Sequence, residues 1–313
     1  MSEHPHIPVT HLRLQIQMGG ATRLNEWSGS AWRGLMGHVL KDTVCVTRAI
    51  DCRLCLLRGR CPHAQIFETP IPEGTTHMRK YTAAPHPYVL RPPAGPRELR
   101  PGDFLQVQLL LFGQAARYAG LLVQVFQRMG QRGLTRRRTP FTLYSVEHET
   151  PPGGGQWERF DPADLAEDPV SPPPAPHTCT VHLETPLRVK RDGRLVRPET
   201  FVFHDLFRAL LRRAALLSRF HTTQAWEPDF RALLQAAQAV PITEARLHWR
   251  EWTRYSARQR STMQMGGLTG SFRLPERLPE PLWQLLWLGQ WLHAGKATVM
   301  GFGQYRLEAP LSV

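Results

Sequence analysis

"PLWQLLWLGQWLHAGKATVMGFGQYRLE", residues 281–308, decides the fold. A proline opens an apolar helix and Gly295 closes it. Gly301 and Gly303 follow, and the stretch ends in the alternating residues of a strand. A helix handed to a strand across a glycine-rich turn is the last step of a β-α-β-β-α-β unit. Upstream, "CTVHLETPLRV" (179–189) alternates as a strand, and "ETFVFHDLFRALLRRAALLSRF" (199–220) sets Phe203, Leu206, Phe207, Leu210, Leu211 and Ala214 at helical spacing. "EARLHWREWTRYS" (244–256) and "RSTMQMGGLTGSFRL" (260–274) read as the two middle strands, and "TVMGFGQYRLE" (298–308) as the last.

The first half repeats this order. "VTHLRLQIQM" (9–18) is a strand, "SAWRGLMGHVLKDTVC" (30–45) a helix, "HPYVLRPP" (86–93) and "DFLQVQLLLFG" (103–113) strands, "YAGLLVQVFQRMG" (118–130) a helix and "RTPFTLYSVEHE" (138–149) a strand. The expected class is therefore α+β, with two tandem ferredoxin-like (βαββαβ, RRM-like) domains over residues 1–150 and 177–313. A Pro- and Gly-rich linker over 151–176 separates them, and a Cys-rich insertion at about 45–80 interrupts the first.

Lys and Arg number 39 against 26 Asp and Glu, a net charge of +13, and most of the cations are arginine. Planar guanidinium groups suit bidentate contacts to phosphate, which makes nucleic acid the leading partner class. The same composition also fits a GC-rich genome. No apolar run approaches the length of a membrane span. With no leader pattern at the N-terminus, the expected location is cytoplasmic.

Glycines in the 293–303 loop permit positive φ and a close backbone approach, so its N–H groups could cradle phosphates around Lys296. A tight αβ connection with a bulged last strand is the plainer alternative. On the helix at 30–45, Trp32, Leu35, Met36, Val39 and Leu40 form an apolar stripe, while Gly34, Gly37, His38 and Lys41 share another face. Glycines beside a histidine and a lysine make room for a ligand backbone.

"WLGQWLHAGKATVMGFGQYRLE" (287–308), "YVLRPP" with "LRPGDFLQVQLLLFG" before the linker, and "SGSAWRGLMGHVL" (28–40) together resemble the Cas6 branch of the RAMP proteins, RNA-binding endoribonucleases that cut CRISPR repeat transcripts into guide RNAs. The resemblance implies that Gly295, Gly301 and Gly303 face RNA, with Lys296 on its backbone. It places the catalytic histidine of such enzymes at His38, for which a plain surface histidine is the alternative; the Lys41 ammonium, three residues along the helix, could neutralise phosphate charge. Cleavage would then need no metal and would leave 2′,3′-cyclic phosphate and 5′-OH ends. Tyr81, Tyr255, His63 and His77 are further candidate helpers. The first half departs from the glycine pattern: "RMGQRGLTRRRTPF" keeps Gly130 and Gly133 but continues with Arg136, Arg137 and Arg138, which favours side-chain contacts to phosphate.

Cys45, Cys52, Cys55 and Cys61 stand in a C-x6-C-x2-C-x5-C pattern directly after the first helix. Four thiolates can close a structural zinc site or hold an iron–sulfur cluster, and leave no open position for a catalytic water. Cys179 reads as core. Arg208, Arg212 and Arg213 are expected on one helix face, and Arg246, Arg250, Arg254 and Arg258 interleave with Trp249, Trp252 and Tyr255 as a stack-and-phosphate pattern or a solvated cationic strand face. The leading expectation is a Cas6-like endoribonuclease, without a catalytic cofactor, acting on CRISPR repeat RNA and associating with other Cas effector subunits. A non-catalytic RAMP subunit and a metal-ribbon nucleic-acid-binding regulator are the rivals.

Overall fold

The computed structural model describes residues 4–71, 75, 83–164, 169–256 and 261–309, with the side chains of 164, 254–256 and 261–263 excepted. The chain forms two compact units, one around His6–Val170 with Leu216–Ala225, the other around Ser171–Ala215 and Trp226–Val313. Among the described residues no helix is long and apolar enough to cross a membrane.

The first unit runs β1 (Val9–Met18), α1 (Gly29–Val44), β2 (Tyr88–Arg91), β3 (Phe104–Phe112), α2 (Ala119–Arg132), β4 (Phe141–Glu149) and β5 (Trp157–Arg159). Its sheet has the order β2-β3-β1-β4-β5, every neighbouring pair antiparallel. The alternation in β1 explains its central place. Leu12, Leu14 and Ile16 are buried, while Arg13, Gln15 and Gln17 on the other face are half-buried. Trp32 of α1 stacks on Phe126 of α2 at 6.5 Å and meets Phe141 at 5.5 Å, which docks both helices on the apolar side of the sheet. Of the stripe read from the sequence, Trp32, Met36, Val39 and Leu40 are buried and Leu35 is half-buried.

In the second unit β6 (Cys179–Leu187) is followed by α3 (Phe203–His221), α4 (Phe230–Gln238), β7 (Thr243–Arg250), β8 (Gly267–Leu274), α5 (Glu280–Leu292) and β9 (Tyr305–Glu308). The antiparallel order is β7-β8-β6-β9. In both units the first strand lies between the third and the fourth, the order that a ferredoxin-like reading requires. Phe203, Leu206, Phe207, Leu210, Leu211 and Ala214 are all buried, as their spacing indicates. Cys179 is core at 4% exposure, and burial pushes its thiol up to about 11.

Several elements differ from expectation. Residues 244–256 are not one strand: β7 ends at Arg250, and Thr253–Ser256 pairs instead with Ser261–Gln264. The last strand begins only at Tyr305, because Ala297, Gly301 and Gly303 have φ of 66°, 87° and 69°, values no strand accommodates. Helix α4 has no counterpart in the sequence reading, although the Asp229 carboxylate caps it by accepting from the Ala232 amide. Trp157–Arg159, inside the stretch expected as linker, adds a strand to β4.

Candidate functional site

His38 lies exposed on α1. One turn earlier, Gly34 opens onto empty space, with nothing within 4 Å of where a Cβ would stand. Gly37 is different. A Cβ there would meet the Phe67 ring at 2.3 Å, so this glycine admits the protein's own side chain rather than a ligand backbone. Phe67 carries the segment after the cysteines back onto α1. The Arg33 guanidinium lies 4.1 Å over its ring, and the rings of His63 and His86 stack against it at 5.4 and 6.4 Å. Thr69 Oγ1 lies 2.8 Å from His86 Nδ1, and burial pushes the Tyr88 hydroxyl up to about 12. The sequence reading missed Arg33, Phe67 and His86: residues 62–85 follow no helical or strand period that would bring Phe67 to α1, and Arg33 and His86 read only as parts of a helix and a strand.

His63 is buried, and burial holds its imidazole below the ordinary value. Glu68 opposes this, and Lys41 and His38 add to it. Lys41 turns toward the cysteine segment rather than outward: its Nζ donates to the Ala49 carbonyl at 3.0 Å. Tyr81, His77 and Arg258 lie outside the described residues, as do the side chains of Tyr255 and Arg254.

The four cysteines line a single cavity of about 200 Å³ together with Lys41 and His63. Cys52 Sγ lies 3.8 Å from His63 Nδ1, and Thr47 Oγ1 stands 3.9 Å from Cys45 Sγ and 3.5 Å from Cys55 Sγ. Burial raises the Cys52 thiol against the pull of Lys41. At Cys45 burial acts the same way, but the Thr47 hydroxyl and the amides of Arg48 and Ala49 outweigh it and lower the thiol. The four thiols share a wall without meeting at a point: among the described residues, no three Cys, His, Asp or Glu side chains are close enough to hold a metal ion.

The glycine loop between α5 and β9 is folded on itself. A Cβ on Gly303 would lie 1.8 Å from the Ala294 carbonyl oxygen, and one on Gly295 2.5 Å from that of Arg188. The amides are used internally: Gly301 donates to Thr298, Gly303 to Pro186 and Lys296 to Arg188, at 2.9, 3.2 and 2.9 Å. His293, buried in the same turn, places Nδ1 3.0 Å from the Phe302 carbonyl. Of the expected cradle of backbone N–H groups, those of Lys296, Gly301 and Gly303 are therefore engaged within the chain. The Lys296 side chain is the exposed cation of this loop.

Arg136, Arg137 and Arg138 are exposed on the turn between Leu134 and Thr139, a turn closed by backbone bonds in both directions. Arg250 and Arg246 are exposed on β7. Trp249 beside them is engaged, with the Arg197 guanidinium 3.7 Å over its ring and its Nε1 donating to Glu251. Arg213 does not share a face with Arg212. It is buried, its Nε donates to the Leu292 carbonyl at 2.6 Å, and burial lowers it to about 9. It closes the C-terminus of α5 and is removed from the phosphate-contact set.

A family model for an N-terminal domain, AF_1859_N, matches residues 7–167, and the model for CRISPR-associated endoribonuclease Cas6 matches residues 181–305. No curated protein sequence matches the chain. Among solved structures, a Cas6 product complex is 16% identical with a TM-score of 0.58, covering 96% of this chain and 100% of that one. Thermus thermophilus Cas6 gives 16% identity and a TM-score of 0.53, over 96% and 99% of the two chains. A partial Cas6-RT-Cas1–Cas2 complex gives 14% and 0.57, covering 97% of this chain; this chain spans only 46% of that one, and 29% of its counterpart in a second such complex. At these identities the likeness is one of fold, and together with the family matches it leads to one assignment: the chain belongs to the Cas6-like proteins of the RAMP fold.

Proposed function

We propose that the protein is a metal-independent endoribonuclease of two ferredoxin-like domains that binds CRISPR repeat RNA in the cytoplasm and cuts it into guide RNAs. The observation that carries this reading is the Cas6 endoribonuclease match over residues 181–305. The exposed His38 beside the open backbone of Gly34 supports it with a surface on which an RNA strand can approach an imidazole. In the reaction the 2′-oxygen attacks the adjacent phosphorus, the bond to the 5′-oxygen breaks, and the ends are a 2′,3′-cyclic phosphate and a 5′-OH. His38 moves a proton, as base at the 2′-OH or as acid at the leaving oxygen, and Lys41 supplies positive charge from its place on the Ala49 carbonyl. Arg136, Arg137, Arg138, Arg250, Arg254, Lys296 and the loop of Gly295, Gly301 and Gly303 hold the RNA. Other Cas subunits are further partners.

We propose that Cys45, Cys52, Cys55 and Cys61 close on a structural metal, zinc or an iron–sulfur cluster, drawing together from positions in which no three described Cys, His, Asp or Glu side chains are near enough to hold an ion. Two observations support it. The four thiols share one cavity, and the segment has no apolar core of its own: Val46, Ile50, Leu54 and Leu56 are 80%, 101%, 83% and 99% exposed. A stretch this short without a core needs a staple, and soft thiolates suit one. The metal would pin the segment behind α1 and takes no part in the reaction.

A second reading, retention of RNA without cutting, is favoured by the engagement of Lys41 with Ala49. One assay separates the two: the purified protein incubated in EDTA with labelled repeat RNA, as wild type and as His38→Ala. Cleavage to a cyclic phosphate that the variant loses while still binding supports the nuclease. Tight binding without a cut supports retention.

A further inference from the structure

The first unit's sheet presents two large rings to solvent. Phe104, the first residue of β3, is 46% exposed and Tyr144 of β4 is 68% exposed. They are not scattered apolar residues: their rings meet edge to face at 5.3 Å across β1. The register explains how. Gln17 of β1 pairs with Phe104 on one side and Thr142 on the other. Gln15 then pairs with Ser145 and Ile16 with Leu143, so Tyr144 is the extra residue of a β-bulge. A bulge re-aims a side chain, and here it brings Tyr144 to the face of Phe104. The neighbours on that face are polar: the amides Gln15, Gln17 and the exposed Gln106, with the hydroxyl residues Thr142 and Ser145 beside them. Trp157, elsewhere on the sheet, is covered by the Arg13 guanidinium at 4.3 Å. Among the described residues, no other ring or cation lies against Phe104 or Tyr144.

The cations stand at the same end. Gly19 donates to the Pro140 carbonyl and Met18 to that of Asp103, so the turn with Arg136, Arg137 and Arg138 and the turn with Arg100 both abut the end of β1. All four arginines are exposed, and so are Arg23 and Arg97 on the short paired strands Thr22–Leu24 and Arg97–Leu99. Rings that can stack, amides that can meet base edges, and guanidinium groups for phosphates together match the demands of unpaired nucleotides.

We propose that Phe104 and Tyr144 form a stacking site for the bases of a single-stranded RNA segment whose phosphates lie on the adjoining arginines. This rests on the reading of the chain as an RNA-binding protein and deepens it, by placing unpaired bases on the first unit's sheet, away from His38.

The test uses a short single-stranded RNA oligonucleotide with 2′-O-methyl riboses, which cannot be cut by 2′-oxygen attack, carrying 2-aminopurine as a stacking reporter. Wild type should bind it with quenched fluorescence. Phe104→Ala and Tyr144→Ala should each weaken binding about tenfold and restore the fluorescence, without changing the dependence on salt, whereas Tyr144→Phe keeps both signals. Both positions are exposed, so the alanine variants should retain the wild-type unfolding midpoint. Unchanged affinity and quenching in the alanine variants, with binding still lost on Arg136→Ala and Arg137→Ala, would overturn the stacking site and leave the RNA-binding reading standing. Failure of wild type to bind the oligonucleotide would overturn both. A wild-type dimer that Tyr144→Ala dissolves, with RNA affinity unchanged, would assign the rings to a second copy of the chain and overturn the proposal.

Discussion

The turn between α2 and β4 and the turn between α5 and β9 occupy the same topological position in their units and solve it differently. In the second unit the glycines make room for the chain itself: Gly303 closes on Ala294 and Gly295 on Arg188, and the amides are used internally. In the first unit Gly130 and Gly133 do the same work, closing on the carbonyls of Phe141 and Arg138, but the turn then raises three exposed arginines. The lesson is that glycine in these crossovers reports self-packing, whereas the proposed contacts to phosphate fall on the exposed arginines. A glycine-rich motif and an RNA contact can coincide in sequence without being the same physical feature.

The largest expected effect would break the comparison if it failed. Gly303→Ala must put a Cβ 1.8 Å from a carbonyl oxygen at a φ of 69°. It should cost roughly 3–5 kcal/mol of stability in thermal or urea unfolding. Gly95→Ala is the control, because its φ is also positive, at 80°, but nothing lies within 4 Å; only the strain of about 1 kcal/mol should appear. Equal losses in the two variants would mean that close approach is not what the loop glycine provides.

Next in size is the cysteine segment. Metal analysis of protein purified without chelator should find zinc or iron bound to the chain. Cys55→Ser should abolish that and lower the unfolding midpoint, while leaving the second unit's unfolding unchanged. Protein free of metal with wild-type stability would leave the exposed Ile50 and Leu56 without a staple and contradict the assignment.

Replacing Arg136, Arg137 and Arg138 together with alanine should leave folding intact and lower the salt slope of RNA binding by about 2, at roughly 0.7 per phosphate contact on a single strand. Lys296→Ala alone should change it by less than about 1. A larger effect from Lys296 would reverse the contrast between the two turns.

The smallest effect is the first unit's share of the pH dependence. His11 is buried, with Nδ1 2.8 Å from Glu149, and burial holds its imidazole below 6.5 despite that carboxylate. Burial alone would raise Glu149, but the His11 hydrogen bond and the amides of Gly153 and Gly155 hold it below 4.5. Both groups bind protons more readily once unfolded, so their stabilisation is present above about pH 6.5 and falls as pH drops through that value and then through about 4.5. Urea midpoints across this range should fall on the acid side, and less so in His11→Gln.

The order of elements was legible because strand alternation and helix stripes are local. The six buried residues of α3 and the alternation of β1 were in plain view. The site was less legible because its contacts are not local. Nothing around Phe67 announces that it fills the space above Gly37 thirty residues earlier, or that Lys41 turns toward Ala49. Arg213 lies in a run of arginines and shows no sign in sequence that the end of α5 claims it. The Tyr144 bulge leaves only a faint trace in sequence: the inward positions switch from Phe141 and Leu143 to Val146 and His148, with Tyr144 and Ser145 exposed in succession between them.

The central claim is a division of labour, with chemistry on α1 and grip on the arginine turn. It is tested most directly by measuring the single-turnover cleavage rate and the Kd of one repeat RNA for His38→Ala and for the variant lacking Arg136, Arg137 and Arg138. The expected result is a rate at least about 100-fold lower with unchanged Kd for the first, and a higher Kd with a wild-type rate at saturation for the second. Undiminished cleavage in His38→Ala, or a saturating rate lost with the arginines, would contradict it.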